Sequence, residues 1–277
     1  MRSLNVLKTA NIIAYILTLA MNFLSQTASQ FGIDIFQYTV AELGESRPVF
    51  FLPAGYVFSI WGVIYLGLAA FLIYQYRGQH GDEVVGKIGW WFVLSCIGNI
   101  SWLYLFLNDQ TAISTIAILL ILVSLIVIYQ RLGIGRTAVS MARRWAVHIP
   151  FSIYMGWVSV ATVANIAAAL YVGGNETALF GISADIWTVI MMVIAAVLGL
   201  LMLRLRGDIA YALVIVWALV GIYVRPFDTP LFADIAATQN VNLVNIGAVV
   251  IALVIVLAIG LYAFMTRNQS ANQMAAT

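Results

Sequence analysis

The chain has 277 residues, 63% of them hydrophobic and only 9% charged, with a formal net charge of +2. A soluble domain carries about 25% charged residues, and a soluble protein of this length could not hide so much apolar surface from water. The composition excludes a soluble enzyme and a nucleic-acid-binding module, and it indicates an integral membrane protein. A single cysteine, Cys96, leaves no partner for an internal disulfide.

A bilayer core takes about 20 apolar residues as helix. In chain order the spacing predicts spans over Thr9–Ser25, Pro53–Tyr76, Lys87–Leu107, Thr111–Arg131, Trp145–Tyr171, Asp185–Arg204, Ile209–Val224 and Val241–Met265. The first carries Asn22, and the "SQTAS" that follows it lacks a clean small-x-small cleavage site, which disfavours a cleaved signal peptide. The loop from Gln26 to Leu52 is the longest, carries Asp34, Glu42, Glu45 and Arg47, and is long enough to fold over one end of the bundle. The other connections are expected to be tight. The seventh span is short. Ala195 and Gly199 in the sixth form a small-xxx-small pair suited to close helix contact. The turn holding Arg225, Pro226, Asp228, Pro230 and Asp234 is expected to be ordered, with local ion pairing.

Alternating the sides of the membrane sorts the charges. With the N-terminus inside, one side receives Arg2, Lys8, Arg77, Lys87, Arg131, Arg136, Arg143, Arg144, Arg204, Arg206 and Arg267, leaving only Arg47 and Arg225 for the other. That other side holds Asp34, Glu42, Glu45, Asp109, Glu176, Asp185, Asp228 and Asp234. The positive-inside rule then puts both termini in the cytoplasm, and the alternation at every loop supports an even number of spans.

Much chemistry is missing. Two histidines, His80 and His148, and one cysteine do not make a metal site of ordinary spacing. No Gly-rich phosphate-binding motif is present, and the only lysines, Lys8 and Lys87, lie at span ends. No Asp or Glu lies mid-span, which argues against proton or sodium coupling. Asp185 and Asp208, at span ends, read as solvated caps.

Three spans instead carry aromatic and amide residues on one helical face. They are Phe58, Trp61 and Tyr65 in the second, Trp91, Ser95, Asn99, Trp102 and Phe106 in the third, and Tyr154, Trp157, Ala161 and Asn165 in the fifth. Membrane-interface belts and helix-bridging amides also use such residues. Buried Asn cannot face lipid cheaply, so Asn99 and Asn165 are expected to look into the bundle, and the Trp residues on the same faces with them. The candidate site is therefore a flat-walled pocket of Phe58, Trp61, Tyr65, Asn99, Trp102, Tyr154, Trp157, Ala161 and Asn165, suited to a flat, hydrophobic, weakly polar ligand.

"PAGYVFSIWGVIY", "GNISWLYLF" and "YMGWVSVATVAN" are similar to three helix motifs of the TspO/MBR family, the tryptophan-rich sensory proteins and translocator proteins. The closest similarity is in the fifth helix, through Trp157, Val158, Ser159, Ala161, Thr162 and Asn165. The second-helix motif is one residue shorter than the family's between Phe58 and Trp61, and Pro150 lies farther from Trp157. The resemblance covers about residues 5–171, the family's five helices, so residues 172–277 are read as three additional helices and a short tail. It implies an all-α bundle binding porphyrins or other tetrapyrroles, or sterol-like amphiphiles, between the helices, and a homodimer in many members. The resulting expectation is a sensor or carrier of a hydrophobic planar ligand in a bacterial or archaeal cytoplasmic membrane, with no cofactor required. A facilitative transporter of small amphiphiles and a ligand-modifying enzyme are the alternatives, the last disfavoured because no acid, base or metal set is evident.

Overall fold

The computed structural model describes residues 2–39, 42–43, 49–171, 178–179, 181–227, 229 and 239–275. The chain is a helical bundle. Helix α1 covers Arg2–Thr27 and α2 covers Ile60–Tyr74, led in by a 3-10 turn over Gly55–Ser59. Next come α3 (Gly78–Ile88), α4 (Trp91–Leu107) and α5 (Thr111–Leu132). A π-helical turn, Arg144–His148, opens α6 (Ile149–Tyr171). The two-residue strands β1 (Ala178–Leu179) and β2 (Ile182–Ser183) pair ahead of α7 (Ala184–Arg206), α8 (Ile209–Val224) and α9 (Val241–Ala275).

Among the described residues six helices are long and apolar enough to cross a membrane. The other two of the eight segments are special cases. The third is a pair, α3 and α4, bent by 59°. Gly89, with φ +58, makes the break, and α3 is not the tight connection the sequence suggested. Its apolar side buries Val84, Val85 and Ile88, while Glu83 pairs with Lys87 at 2.7 Å and Arg143 at 3.2 Å. Its Asp82 also meets Lys8 of α1 at 2.6 Å. The seventh segment, α8, has 16 residues, about 24 Å of helix against a hydrocarbon core of about 30 Å. It is tolerated because α8 lies among α6, α7 and α9 rather than alone in lipid. The last helix continues ten residues beyond the expected Met265, to Ala275.

Helix α4 packs along α1 and α5, α5 along α6, and α2 on α6. Helix α6 then carries α8 on its other side, so one hydrophobic core runs through residues of all eight segments. Small residues set these approaches. A side chain at Gly98 would strike Ile121, and one at Gly199 would press on Ile215 of α8, the close contact expected of the Ala195/Gly199 pair.

The short α8 also holds the lead-in to α2. Ala54 N–H donates to Gly221 O at 2.9 Å, and Trp217 Nε1 donates to Val57 O at 3.0 Å. A Cβ at Gly221 would collide with Val57 and Pro53. Arg225 donates to Val49 O at 3.2 Å and Leu52 O at 2.8 Å. This is a tie to distant backbone carbonyls that the sequence did not show; Asp228, Pro230 and Asp234 of the same turn lie outside the described residues. Toward its end the described part of the Gln26–Leu52 loop is packed down, while residues 29–35 are exposed. Leu43, Val49, Phe50 and Phe51 are buried, Phe50 meets Phe227 edge-on at 5.2 Å, and Tyr38 N–H donates to Leu107 O at 3.1 Å. Glu45 and Arg47 lie outside the described residues.

Of the two expected solvated caps, Asp208 caps its helix, Asp185 lies in the first turn behind the N-cap Ser183, and both are buried. Asp208 accepts from Tyr211 N at 3.0 Å, as an N-cap does, but it is buried and also takes the Tyr129 and Ser152 hydroxyls, each at 2.7 Å. Asp185 is buried too and accepts from Asn240 N at 3.1 Å, joining α7 to the start of α9.

Candidate functional site

The residues singled out on α2, α4 and α6 converge. Their aromatic rings form a column: Tyr65 stacks on Trp61 at 5.7 Å, Trp61 on Trp102 at 6.1 Å, and Trp102 on Phe106 at 5.3 Å. Tyr154 and Trp157 of α6 meet Trp61 edge-on at 5.9 and 6.4 Å, and Phe58 meets Trp157 edge-on at 5.8 Å. Edge-on and offset stacking let the positive rim of one ring meet the negative face of another. Helical spacing explains part of the convergence: Trp61 and Tyr65, four apart, share the side of α2 that leans on α6, and the 3-10 turn before α2 brings Phe58 against Trp157.

Asn165 occupies one end of the column. Its Oδ1 accepts from Trp102 Nε1 at 3.0 Å and Ser114 Oγ at 3.1 Å, and its Nδ2 donates to Thr111 O at 3.3 Å and Thr115 Oγ1 at 2.9 Å. One amide thus braces α4, α5 and α6, with its capacity filled. Asn99, buried on α4, accepts at Oδ1 from Asn22 Nδ2 at 3.2 Å. Asn99 faces the phenols of Tyr65 and Tyr154, yet its Nδ2, the Tyr65 hydroxyl and the Trp157 indole nitrogen are buried without a partner of hydrogen-bond geometry.

Between the rings and the chain before α2 lies a cavity of about 40 Å³, lined by Leu52, Pro53, Phe58, Trp61, Trp157 and Ala161 among others. That is space for a water molecule or so, against roughly 300–1,000 Å³ for a small-molecule site. The expected walls are present, but they rest against one another. Phe58, Trp61, Trp102, Phe106, Trp157, Ala161 and Asn165 touch this cavity, whereas Tyr65, Asn99 and Tyr154 stand behind Trp61. Two members of the α4 stripe go elsewhere: Trp91 lies under the Arg131 guanidinium at 5.9 Å, and Ser95 bonds its own helix at Phe92 O.

Reasoning from the sequence passed over Asn22, Tyr15 (whose hydroxyl donates to Tyr65 O at 2.8 Å) and the Thr111–Ser114–Thr115 group. A signal was present for Asn22 and for the Thr111–Ser114–Thr115 group. Asn22 is an amide in an apolar span, and Thr111, Ser114 and Thr115 repeat at i, i+3 and i+4 on the face that meets Asn165.

The sequence matches the family model described as TSPO-like protein over residues 8–273. The match takes in the last three spans as well as the first five. No curated protein and no solved structure matches the chain. With eight apolar helical segments and a family match along nearly its whole length, the chain is an integral membrane protein that belongs to the TSPO-like protein family.

Proposed function

We propose that the protein binds a flat, hydrophobic, weakly polar molecule, a tetrapyrrole by preference, at the Tyr65–Trp61–Trp102–Phe106 column, and that it senses or carries this ligand. The observation that supports this reading is the set of unpartnered polar atoms around the column: Tyr65 Oη, Asn99 Nδ2 and Trp157 Nε1. A buried donor left unsatisfied costs about 1–3 kcal/mol. Such atoms gathered beside one aromatic group suit a ligand with a polar edge, whose plane replaces one ring in the stack. The 40 Å³ cavity must widen for this.

Titrating the purified protein with protoporphyrin is expected to quench tryptophan fluorescence, and Trp61→Ala combined with Trp157→Ala to weaken binding by about tenfold or more. A titration unchanged by both substitutions overturns the assignment. Flux of the bound compound across proteoliposomes separates carriage from sensing. The charge distribution supports cytoplasmic termini. In a Cys96→Ala background, a cysteine at Ser140 is then labelled only from the cytoplasmic side and one at Asn108 only from the opposite side; the reverse pattern refutes this orientation.

A further inference from the structure

A second cavity, of about 980 Å³, lies away from the aromatic column, at the arginine-rich end of the bundle. It is a groove over α6 between α2 and α8. Val63 of α2, Ile153 of α6 and Leu213 of α8 line it, and Trp217, bonded to Val57 O, closes its deep end. Val63 and Leu213 are 54% and 49% exposed, so the groove opens sideways to the hydrocarbon. Its mouth is different. The loop after α5 brings Arg136, the turn before α6 brings Arg144, and the end of α7 brings Arg206.

The charges at the mouth are unbalanced. Arg136 and Arg144 are exposed, and neither makes an ion pair among the described residues. Arg206 lies over the Tyr129 ring at 5.5 Å and donates to Ile134 O at 3.1 Å. The lining carboxylate, Asp208, has both oxygens engaged by Tyr129, Ser152 and Tyr211 N. His148, only 6% exposed, lines the same cavity with Nε2 unpartnered. Trp145, 64% exposed, stands at the rim, the position at which Trp anchors to a membrane interface.

We propose that this groove binds an anionic phospholipid. Its phosphate sits at Arg136 and Arg144, above His148, and one acyl chain runs between α2 and α8 down to Trp217. Guanidinium forks match phosphate oxygens, and basic side chains at a membrane surface favour anionic headgroups over zwitterionic ones. A free phosphate would leave the apolar groove unused, and a neutral lipid would leave the arginines unused. Only an anion with an acyl chain engages both halves. The site uses α8, which the aromatic column does not, and it does not depend on what the column binds.

The test uses the full-length protein in detergent, stripped of lipid and offered equal amounts of phosphatidylglycerol and phosphatidylcholine with identical chains, read by native mass spectrometry. The expected result is a preference for phosphatidylglycerol of about tenfold, lost in the Arg136→Gln/Arg144→Gln variant. Leu213→Trp, which fills the groove without changing charge, should reduce retention of both lipids. Equal retention of the two lipids by the unsubstituted protein overturns the proposal without need of any variant. So does a preference that survives loss of both arginines, or inorganic phosphate displacing the lipid completely, which would mark a site for the free anion. None of these outcomes bears on the protoporphyrin titration.

Discussion

Replacing Asn165 with Leu tests the bracing of the aromatic column. The substitution keeps a side chain of similar size and deletes both functions of the amide. Ser114 and Thr115 lose little, because their hydroxyls already reach Thr111 O at 2.7 and 3.2 Å. Trp102 Nε1 loses the acceptor it has at 3.0 Å and is left buried. An orphaned buried donor costs about 1–3 kcal/mol, and each of the two bonds donated by Nδ2 is worth about 0.6 kcal/mol between membrane helices. The expected loss is therefore about 2–4 kcal/mol. Reversible unfolding in mixed detergent micelles, followed by tryptophan fluorescence, measures it. Trp102→Phe removes the donor itself, so the double variant should be less damaged than the two single losses added, by about 1–2 kcal/mol. A loss below about 0.5 kcal/mol for Asn165→Leu, or strict additivity in the cycle, would refute the bracing role.

Other predictions address neighbouring features. Tyr65→Phe removes a hydroxyl that has no partner, so stability should hold or rise by up to about 1 kcal/mol while protoporphyrin binding weakens; a clear loss of stability would show that the hydroxyl is already satisfied. Gly221→Val drives a side chain into Val57 and Pro53 and should lower the thermal midpoint by several degrees, about what 1–3 kcal/mol of overpacking produces; an unchanged midpoint refutes the close contact. In the loop, Thr39 N–H donates to Glu42 Oε2 at 2.7 Å and Glu42 N–H to Thr39 Oγ1 at 3.2 Å, a capping box. The Thr39 backbone donor, followed by its hydroxyl, holds the Glu42 carboxyl below its ordinary value of 4.5. A depressed folded value means the contact is intact above 4.5 and lost as pH falls through that lower value. The Thr39 amide resonance should shift with a midpoint below 4.5, and a midpoint at or above it contradicts the box.

The placement of the spans was legible because lipid leaves little choice: apolar length and loop charge determine it almost alone. The seventh span was read with the bounds it has, Ile209–Val224. The α3–α4 bend was not legible, since a left-handed Gly89 looks like any glycine in sequence and α3 carries enough charge to pass for a loop. At the column, helical spacing correctly brought Trp61, Trp102, Trp157 and Asn165 together. It could not show whether the rings would line a space or fill it, because that depends on fractions of an ångström in side-chain packing. The mouth of the second groove was hidden for another reason. Arg136, Arg144 and Arg206 come from three separate segments of the chain, and only the fold makes them neighbours.

The hold of α8 on the lead-in to α2 bears on how the protein is made. The bonds from Trp217 to Val57 and from Arg225 to Val49 join residues 160 and 176 positions apart. At about 5–20 residues per second, a ribosome needs roughly 10–30 s to supply the second partner. During that interval the carbonyls of Val49, Leu52 and Val57 lack the partners that Arg225 and Trp217 give them in the folded bundle. The lead-in to α2 is therefore seated late, and a nascent chain halted before Trp217 should carry it unlatched, in the state most exposed to membrane quality-control proteases.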